Sequence, residues 1–396
     1  MALNTVSSDR LSTNVKNTNF TAAEKQDLTD DIKPLLGSSG GGNKNLIING
    51  AMQVAQRGTS STTFGYHTVD RFQTDGGGHD EIPTQAQVDV SSSDTPYTLG
   101  LTKAWKITNG NQTSGAGAAD YMRLNYKIEA QDIRNSGWNY KSSSSNITLS
   151  FWVKSSVAQT FYLTVKAEDS PSYLYSTPYS ATTSWTKITK TIPGNSNLVF
   201  NNDSGVGLTL FFTLFYGTDY TDNGVSDDTW GAYNGSNQTK DQTSTWYTTN
   251  DATFELTGVQ LEIGSVATDF EHRPFAQERE LCKRCYQQYP EGIHADNFIC
   301  VPSAIMACNN TTTAYYCPTL RPTMRSSPSF SSSGNFRMNG TASVNNVAVT
   351  AIGVYHNGAA TPFQFATVAS GLTAGQAVAL SVNNDATAYI AYDAEL

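Results

Sequence analysis

The heptapeptide Ile147-Thr148-Leu149-Ser150-Phe151-Trp152-Val153 carries the pattern that decides the fold of this chain. Its first, third, fifth and seventh side chains are apolar, and Thr, Ser and Trp stand between them. Successive side chains of a strand point to opposite faces, so this period of two predicts a β-strand that covers a hydrophobic core on one side.

Segments of the same kind lie on both sides of this heptapeptide, with clusters of Gly, Asn, Ser and Asp between them. They occupy residues 46–48, 105–108, 121–124, 161–165, 185–192, 208–215 and 254–262. Short alternating strands joined by turns predict a mainly β fold, an antiparallel jelly roll or β-sandwich over 45–275. No strand–helix–strand rhythm is present, which argues against a parallel sheet.

The composition supports a β-rich, non-enzymatic class. Aromatic residues make up 11% of the 396 residues, which disordered chains do not reach. The net charge of −9 and the lack of any Lys/Arg-rich run argue against nucleic-acid binding. No apolar run approaches the ~18 residues of a membrane span. The start of the chain lacks a secretory pattern, and five cysteines is an odd number, so we expect free thiols and synthesis in a reducing cytoplasm.

Residues 1–44 are predicted to form a helical arm. Thr21 and Glu24 fit a capping box, and a Gly-rich linker follows the predicted helix. A single apolar stripe is spaced for one helix face and consists of Leu28, Ile32, Leu35 and Leu36. One short helix cannot bury this stripe alone, so we expect the arm to dock on a partner chain or on copies of itself.

A second helix is predicted at 276–290, and Pro290 ends it. Its apolar stripe consists of Leu281, Cys282, Cys285, Tyr286 and Tyr289. Three such helices would bury the stripe along a three-fold axis, which makes this segment the predicted trimerisation helix. From 291 to 396 the alternation returns at 343–354, 363–368, 377–382 and 386–395, so a smaller C-terminal β domain is expected.

No catalytic, metal or cofactor site is predicted. Cys282 and Cys285 have the spacing of half a zinc site, but further ligands are missing and a thioredoxin-like context is absent, so buried thiols are the preferred interpretation. Four carboxylates cluster in one long loop: Asp219, Asp222, Asp227 and Asp228. A glycosidase needs two carboxylates at a fixed separation, and a Gly/Asn-rich loop is a poor frame for that. A solvated loop or a cation site is therefore preferred to a polysaccharide depolymerase.

The same loop, residues 216–247, is the candidate ligand site. Aromatic rings among Asp, Asn and Thr suit a carbohydrate, because a ring packs on the apolar face of a sugar while polar neighbours bind its hydroxyls. The candidates are Tyr220, Trp230, Tyr233 and Trp246, together with Tyr173 and Tyr175 from a second polar aromatic stretch. The alternative for Trp246 is a place in the core, since a strand follows it closely.

Several blocks of the chain resemble a domain of bacteriophage tail-fibre proteins. Residues 45–58 resemble its opening, Asp70-Arg71-Phe72 resembles its next block, and residues 149–155 resemble a strand that it shares with jelly-roll carbohydrate-binding modules. Residues 256–273 give the most specific match. Cys285 departs from the pattern, where the family usually has Tyr. The resemblance covers about 45–289.

This resemblance implies a homotrimer on a phage particle, made in the host cytoplasm. It would attach to other tail or virion proteins through residues 1–44 and contact host-surface glycan, with the C-terminal domain as its tip. Three alternatives stay open: a fibre that decorates the capsid or neck without a receptor role, a polysaccharide depolymerase, and a cellular glycan-binding protein.

Overall fold

Twelve strands pair into two facing antiparallel sheets in the computed structural model of the chain, which describes residues 44–290, 300–340 and 344–396. The strands are β1 (Ser60–Ser61), β2 (Phe72–Gly77), β3 (Thr84–Asp89), β4 (Lys103–Thr108), β5 (Tyr121–Glu129), β6 (Asn146–Ser155), β7 (Gln159–Ala167), β8 (Tyr173–Ala181), β9 (Thr186–Pro193), β10 (Val206–Tyr216), β11 (Thr229–Ala232) and β12 (Thr253–Ile263). The first sheet has the order β1-β3-β4-β12-β6-β9, and the second sheet has the order β11-β8-β7-β10-β5-β2.

The alternation read from the sequence fixes which side of each strand is buried. In β6, the apolar side chains from Ile147 to Val153 have no solvent exposure. Across the core, the Phe151 ring of the first sheet meets Phe212 of the second edge-on, with their centroids 5.0 Å apart. The predicted mainly β sandwich is confirmed. The stripe of Leu28, Ile32, Leu35 and Leu36 falls outside the residues described.

Residues 46–48 do not form the predicted strand. A side chain instead binds the backbone here: Asn45 Oδ1 accepts hydrogen bonds from the amides of Ile47 and Leu261, each at 3.0 Å. A Cβ atom on Gly50 would lie 2.1 Å from the Val259 carbonyl oxygen, so this turn packs directly on β12. Two blocks that carry the family resemblance, 45–58 and 256–273, are thus in contact.

Four short helices accompany the strands in the described part of the chain, namely α1 (Thr95–Thr98), α2 (Ala130–Arg134), α3 (Thr245–Thr248) and α4 (Phe275–Lys283). The prediction of one helix over 276–289 is wrong beyond Lys283. There the chain turns and Tyr286–Tyr289 forms strand β13, because its residues pair with a strand near the C-terminus.

The stripe assigned to trimerisation is divided by this turn. Cys282, Cys285 and Tyr286 are buried within the single chain, whereas Leu281 and Tyr289 are half-buried. Three of the five side chains therefore find their partners without a second copy. The physical argument for a trimer axis at this segment is lost.

The C-terminal region is a closed antiparallel barrel with a small sheet beside it. Its strands are β14 (Cys300–Cys308), β15 (Thr313–Tyr316), β16 (Ser329–Ser333), β17 (Phe336–Asn339), β18 (Val347–His356), β19 (Phe363–Val368), β20 (Ala377–Val382) and β21 (Tyr389–Asp393). The barrel order is β14-β15-β19-β18-β17-β20, and β13-β21-β16 form the small sheet. Met306, Met338 and Leu380 fill the barrel without solvent exposure. The β character predicted for residues 291–396 is confirmed in the part that the structure describes, whereas their separation from the sandwich as a domain of their own stays a prediction.

A group of buried charges joins the C-terminal strand to the sandwich. Arg71 makes an ion pair with Glu395, and Arg57 Nη2 lies 2.9 Å from Asp393 Oδ2. Arg57 Nη1 is 3.5 Å from Glu395 Oε1 and 3.9 Å from Asp70 Oδ1. These pairs hold the end of the chain against the loop and strand that open the sandwich.

Candidate functional site

The side of the second sheet that points away from the sandwich core is polar and aromatic. In β10, Leu208, Leu210 and Phe212 belong to the core, so Phe211 and the threonines beside it point outward. We call this side the outer face. One row of residues runs in register across all six strands of the outer face and consists of Gln73, Asn125, Phe211, Thr164, Ser176 and Thr229.

Three polar members of this row are buried although they point away from the core, whereas Gln73 is half-buried and Thr229 is exposed. Asn125, Thr164 and Ser176 are almost without solvent exposure. Asn125 Oδ1, Thr164 Oγ1 and Ser176 Oγ have no hydrogen-bond partner in the described part of the chain. Buried polar atoms in native proteins are normally paired, with protein, water or ligand. These three oxygens lie below the accessible surface, so the row itself is not an open contact surface.

Arg123 on β5 is held rigidly beside this row. Its Nε donates to Asp75 Oδ2 at 2.8 Å, and its Nη1 donates to the Tyr216 hydroxyl oxygen at 3.0 Å. Its guanidinium carbon lies 4.5 Å from the centroid of the Phe211 ring. Burial lowers the pKa of Arg123, but Tyr216 and Asp75 raise it to a net value above its ordinary one. The guanidinium is thus a fixed, permanently charged donor.

The loop at 217–242 lies against one end of the outer face. The Tyr220 ring stands edge-on to Tyr121, with centroids 5.3 Å apart, and Tyr233 covers Lys166 Nζ at 4.0 Å. A pocket of about 280 Å³ lies between β8 and this loop, which includes β11, and it is lined in part by Ser176. The loop predicted to bind ligand therefore forms a wall of the polar row.

Only some of the predicted aromatic residues can meet a ligand there. Tyr233 is 38% exposed, and Tyr220 and Tyr173 are partly exposed. Trp230, Tyr175 and Trp246 are 7%, 3% and 0% exposed, so the prediction that they form sugar-stacking surfaces is wrong.

These three side chains are structural. The Trp230 Nε1–H donates to the Pro193 carbonyl oxygen at 2.7 Å, and its ring packs on Tyr175 with centroids 5.5 Å apart. Trp246 Nε1–H donates to the Thr253 carbonyl oxygen at 3.1 Å, so the core alternative for Trp246 was the right one. Each indole has its polar atom satisfied inside the fold.

Sequence reasoning missed Arg123, Asn125, Thr164 and Phe211. For Arg123, Asn125 and Thr164 the signal was the alternation in β5 and β7, where polar or charged residues stand between apolar ones. It was read for its core-facing side, whereas these side chains lie on the other side of the sheet. Phe211 is apolar between apolar neighbours and carried no such signal.

Three of the four acidic loop residues have partners for their carboxylates. Asp227 Oδ2 pairs with Lys240 Nζ at 2.7 Å, and Asp222 Oδ1 accepts from the Gly224 amide at 2.7 Å. Asp228 Oδ1 accepts from the Tyr175 hydroxyl at 3.4 Å. Among the residues described, no group of three or more His, Cys, Asp or Glu side chains is placed to hold a metal ion, and no helix is long and apolar enough to cross a membrane.

Comparison with known proteins returns no matching family model and no matching curated protein. Solved structures give weak similarity. The enzymatically active domain of bacteriophage CBA120 tailspike protein 4 matches at 8% identity and a TM-score of 0.29, covering 56% of this chain and 22% of that one. A putative sugar binding protein from Bacteroides thetaiotaomicron matches at 12% identity and a TM-score of 0.30, covering 56% and 100%. The CBM22-1–CBM22-2 tandem domain of Xyn10C from Paenibacillus barcinonensis matches at 9% identity and a TM-score of 0.28, covering 90% and 98%. The strand pairing described above, rather than these scores, supports the fold.

Proposed function

We propose that this chain is a non-catalytic, carbohydrate-binding structural protein of a bacteriophage particle, and that the outer face of its sandwich holds the glycan. The observation that carries the proposal is the pair of partly exposed rings, Tyr233 and Tyr220, in the loop that lines a pocket of about 280 Å³, on the same sheet as an arginine fixed by two hydrogen bonds. A sugar needs this combination, because its hydroxyls require hydrogen bonds while its C–H faces pack on rings.

The accessible aromatic rings lie where a ligand would enter. Tyr233 presents more than a third of its surface to solvent, and Tyr220 stands at the side of the outer face near Tyr121. Both rings are braced, the first over Lys166 and the second against Tyr121. A braced ring loses little conformational freedom on binding, which favours affinity.

The virion assignment rests on the resemblance of residues 45–58 and 256–273 to phage tail-fibre proteins. The proposed assembly is a homotrimer attached through residues 1–44. Because the helix stripe is used inside the chain, the trimer contact must involve other surfaces.

Glycan binding is tested with the full-length protein, a glycan array and titration calorimetry. Tyr233→Ala and Tyr220→Ala should each weaken binding of the selected glycan about tenfold, which corresponds to ~1.4 kcal/mol. Tyr97→Ala is the matched control, because Tyr97 is 41% exposed on α1 and lies in the other half of the sandwich fold. Unchanged affinity in both loop variants would remove the outer face as the binding site.

The virion role has a separate test. A phage that encodes this protein without residues 2–44 should assemble particles that lack the truncated protein, while the truncated protein itself stays soluble. Particles that still carry the truncated protein would refute the anchoring role. Sedimentation of the full-length protein as a monomer would refute the trimer. Release of reducing sugar from host envelope, lost in Asp227→Ala, would favour the depolymerase instead.

A further inference from the structure

A second concave region lies between the sandwich and the small sheet β13-β21-β16. It is a half-open cleft of about 670 Å³, lined on one side by residues 55–59 with Tyr66 and on the other by residues of β13, β16 and β21. Volumes of this size are typical of ligand sites, which occur preferentially where two domains meet. Neither the outer-face row nor the 217–242 loop contributes a residue to the lining of the cleft.

Tyrosine rings form part of the cleft walls. The Arg57 guanidinium carbon lies 3.5 Å from the centroid of the Tyr286 ring, which holds both groups in place. Tyr66 and Tyr389 also line the cleft and are half-buried. The Tyr66 hydroxyl donates to the Leu396 carbonyl oxygen at 3.0 Å, so its ring position is fixed as well. Tyr286 is itself buried, so Tyr66 and Tyr389 are the rings here that present partly exposed apolar surface.

Two buried polar atoms of cleft residues lack a hydrogen bond. Gln56 Oε1 and Arg57 Nη1 have no hydrogen-bond partner among the residues that the structure describes. The Arg57 side chain is only 8% exposed, and its nearest carboxylates at Nη1 are 3.5 and 3.9 Å away. Both atoms lie below the accessible surface, whereas the other wall of the cleft carries the hydroxyls of Ser331 and Thr387 at exposed positions.

Arg57 and Asp393, which line the cleft together with His67, pair with each other. Arg57 Nη2 lies 2.9 Å from Asp393 Oδ2. The other oxygen of Asp393 accepts a hydrogen bond from the Glu395 amide at 2.9 Å, so the charge of this carboxylate is balanced within the chain. A ligand rich in hydroxyls and without charge fits this balance.

We infer that this cleft is a second carbohydrate site, which binds a neutral oligosaccharide between the tyrosine rings and the hydroxyl-bearing strands. The inference is independent of the outer face, since the two sites share no lining residue. Its affinity depends on the C-terminal strand staying docked on the sandwich, because β21 and β16 form one wall.

The test uses full-length protein carrying Tyr233→Ala, so that binding at the outer face is weakened. Cellotetraose, mannotetraose and chitotetraose are the neutral probes, and tetragalacturonate is the acidic probe, all followed by saturation-transfer NMR and calorimetry. Ser331→Trp and Thr387→Trp fill the cleft from exposed positions, where the larger side chain needs no core rearrangement. Ser370→Trp is the matched control at an exposed bend away from the cleft.

At least one neutral tetrasaccharide should bind, and each cleft-filling variant should lower its affinity at least tenfold, whereas Ser370→Trp leaves it unchanged. Thermal melts check that all variants remain folded. The inference is overturned if no neutral probe binds, if tetragalacturonate binds more tightly than every neutral probe, or if both cleft variants bind normally. Failure of the outer-face proposal has a different signature, since Tyr233→Ala alone would then leave all binding intact.

Discussion

The buried pair Arg71–Glu395 should determine how firmly the end of the chain is held on the sandwich. Their side chains are 3% and 4% exposed, and Arg71 Nη2 also donates to the Lys127 carbonyl oxygen at 2.9 Å. Glu395→Gln keeps the shape of the side chain but removes its charge. The guanidinium of Arg71 then stays buried without its closest counter-charge.

Removing one partner of a buried ion pair typically costs about 3–5 kcal/mol, because the remaining charge is left without compensation. Gln can still accept a hydrogen bond, so we expect Glu395→Gln to lower the free energy of unfolding by about 3 kcal/mol. Arg71→Met should cost less, since Glu395 keeps Arg57 at 3.5 Å. The double variant should cost less than the sum of both, with a coupling of at least ~1.5 kcal/mol.

Equilibrium urea unfolding at pH 7, followed by tryptophan fluorescence, measures all four proteins of this cycle. Lys103–Asp89 is the matched control: its nitrogen and oxygen are 2.5 Å apart, but the side chains are 38% and 82% exposed. The same cycle with Lys103→Met and Asp89→Asn should give a coupling below about 1 kcal/mol. A loss under about 1 kcal/mol for Glu395→Gln, or additive effects in the buried cycle, would refute the reasoning.

Three further outcomes follow from the same structure. Burial raises the pKa of the Asp70 carboxyl to about 6, so the folded state binds this proton more tightly than the unfolded state, and the free energy of unfolding rises as pH falls through about 6. Asp70→Asn should be more stable than the native protein at pH 7, and urea titrations should show this advantage shrinking by about 2 kcal/mol between pH 7 and pH 4. A difference that does not change with pH would contradict this. Trp246→Ala should lower the free energy of unfolding by about 3–5 kcal/mol, because this fully buried side chain leaves a cavity; normal stability with a specific loss of glycan binding would show that the indole acts on ligand instead. Burial raises the pKa of the Cys285 thiol to about 11 and that of the Cys282 thiol in the same direction, whereas Cys317 is exposed; iodoacetamide at pH 8 should therefore modify Cys317 in the native protein and the other two only after denaturation, as read by mass spectrometry.

The sequence was sufficient to predict the sandwich because its evidence is local. Alternation in Ile147–Val153 and in 208–215 needs only neighbouring residues to be recognised, and the structure confirms the resulting mainly β fold. The residues that occupy each core-facing position follow from the same period of two.

Local patterns could not determine the outcome at 284–289 or at the aromatic residues. Residues 284–289 continue a helical spacing, but Tyr286–Tyr289 pairs with Ile390–Asp393, a strand about a hundred residues later in the chain. Likewise, Trp230 and Tyr175 resemble exposed sugar platforms until β11 and β8 pair and bury them. Burial of a side chain depends on both surfaces that come into contact, and a local sequence pattern contains only one of them when the two are far apart in the chain.

The sequence by itself therefore determined the mainly β architecture, the low fraction of charged residues and the supply of aromatic and hydroxyl side chains. The tertiary structure alone decided which of them are buried and which stay accessible. It aligned Asn125, Phe211 and Thr164 from three strands into one row and brought Arg57 beside Tyr286 across the cleft. Both arrangements depend on strand register and domain contact, which arise only when distant segments pack together.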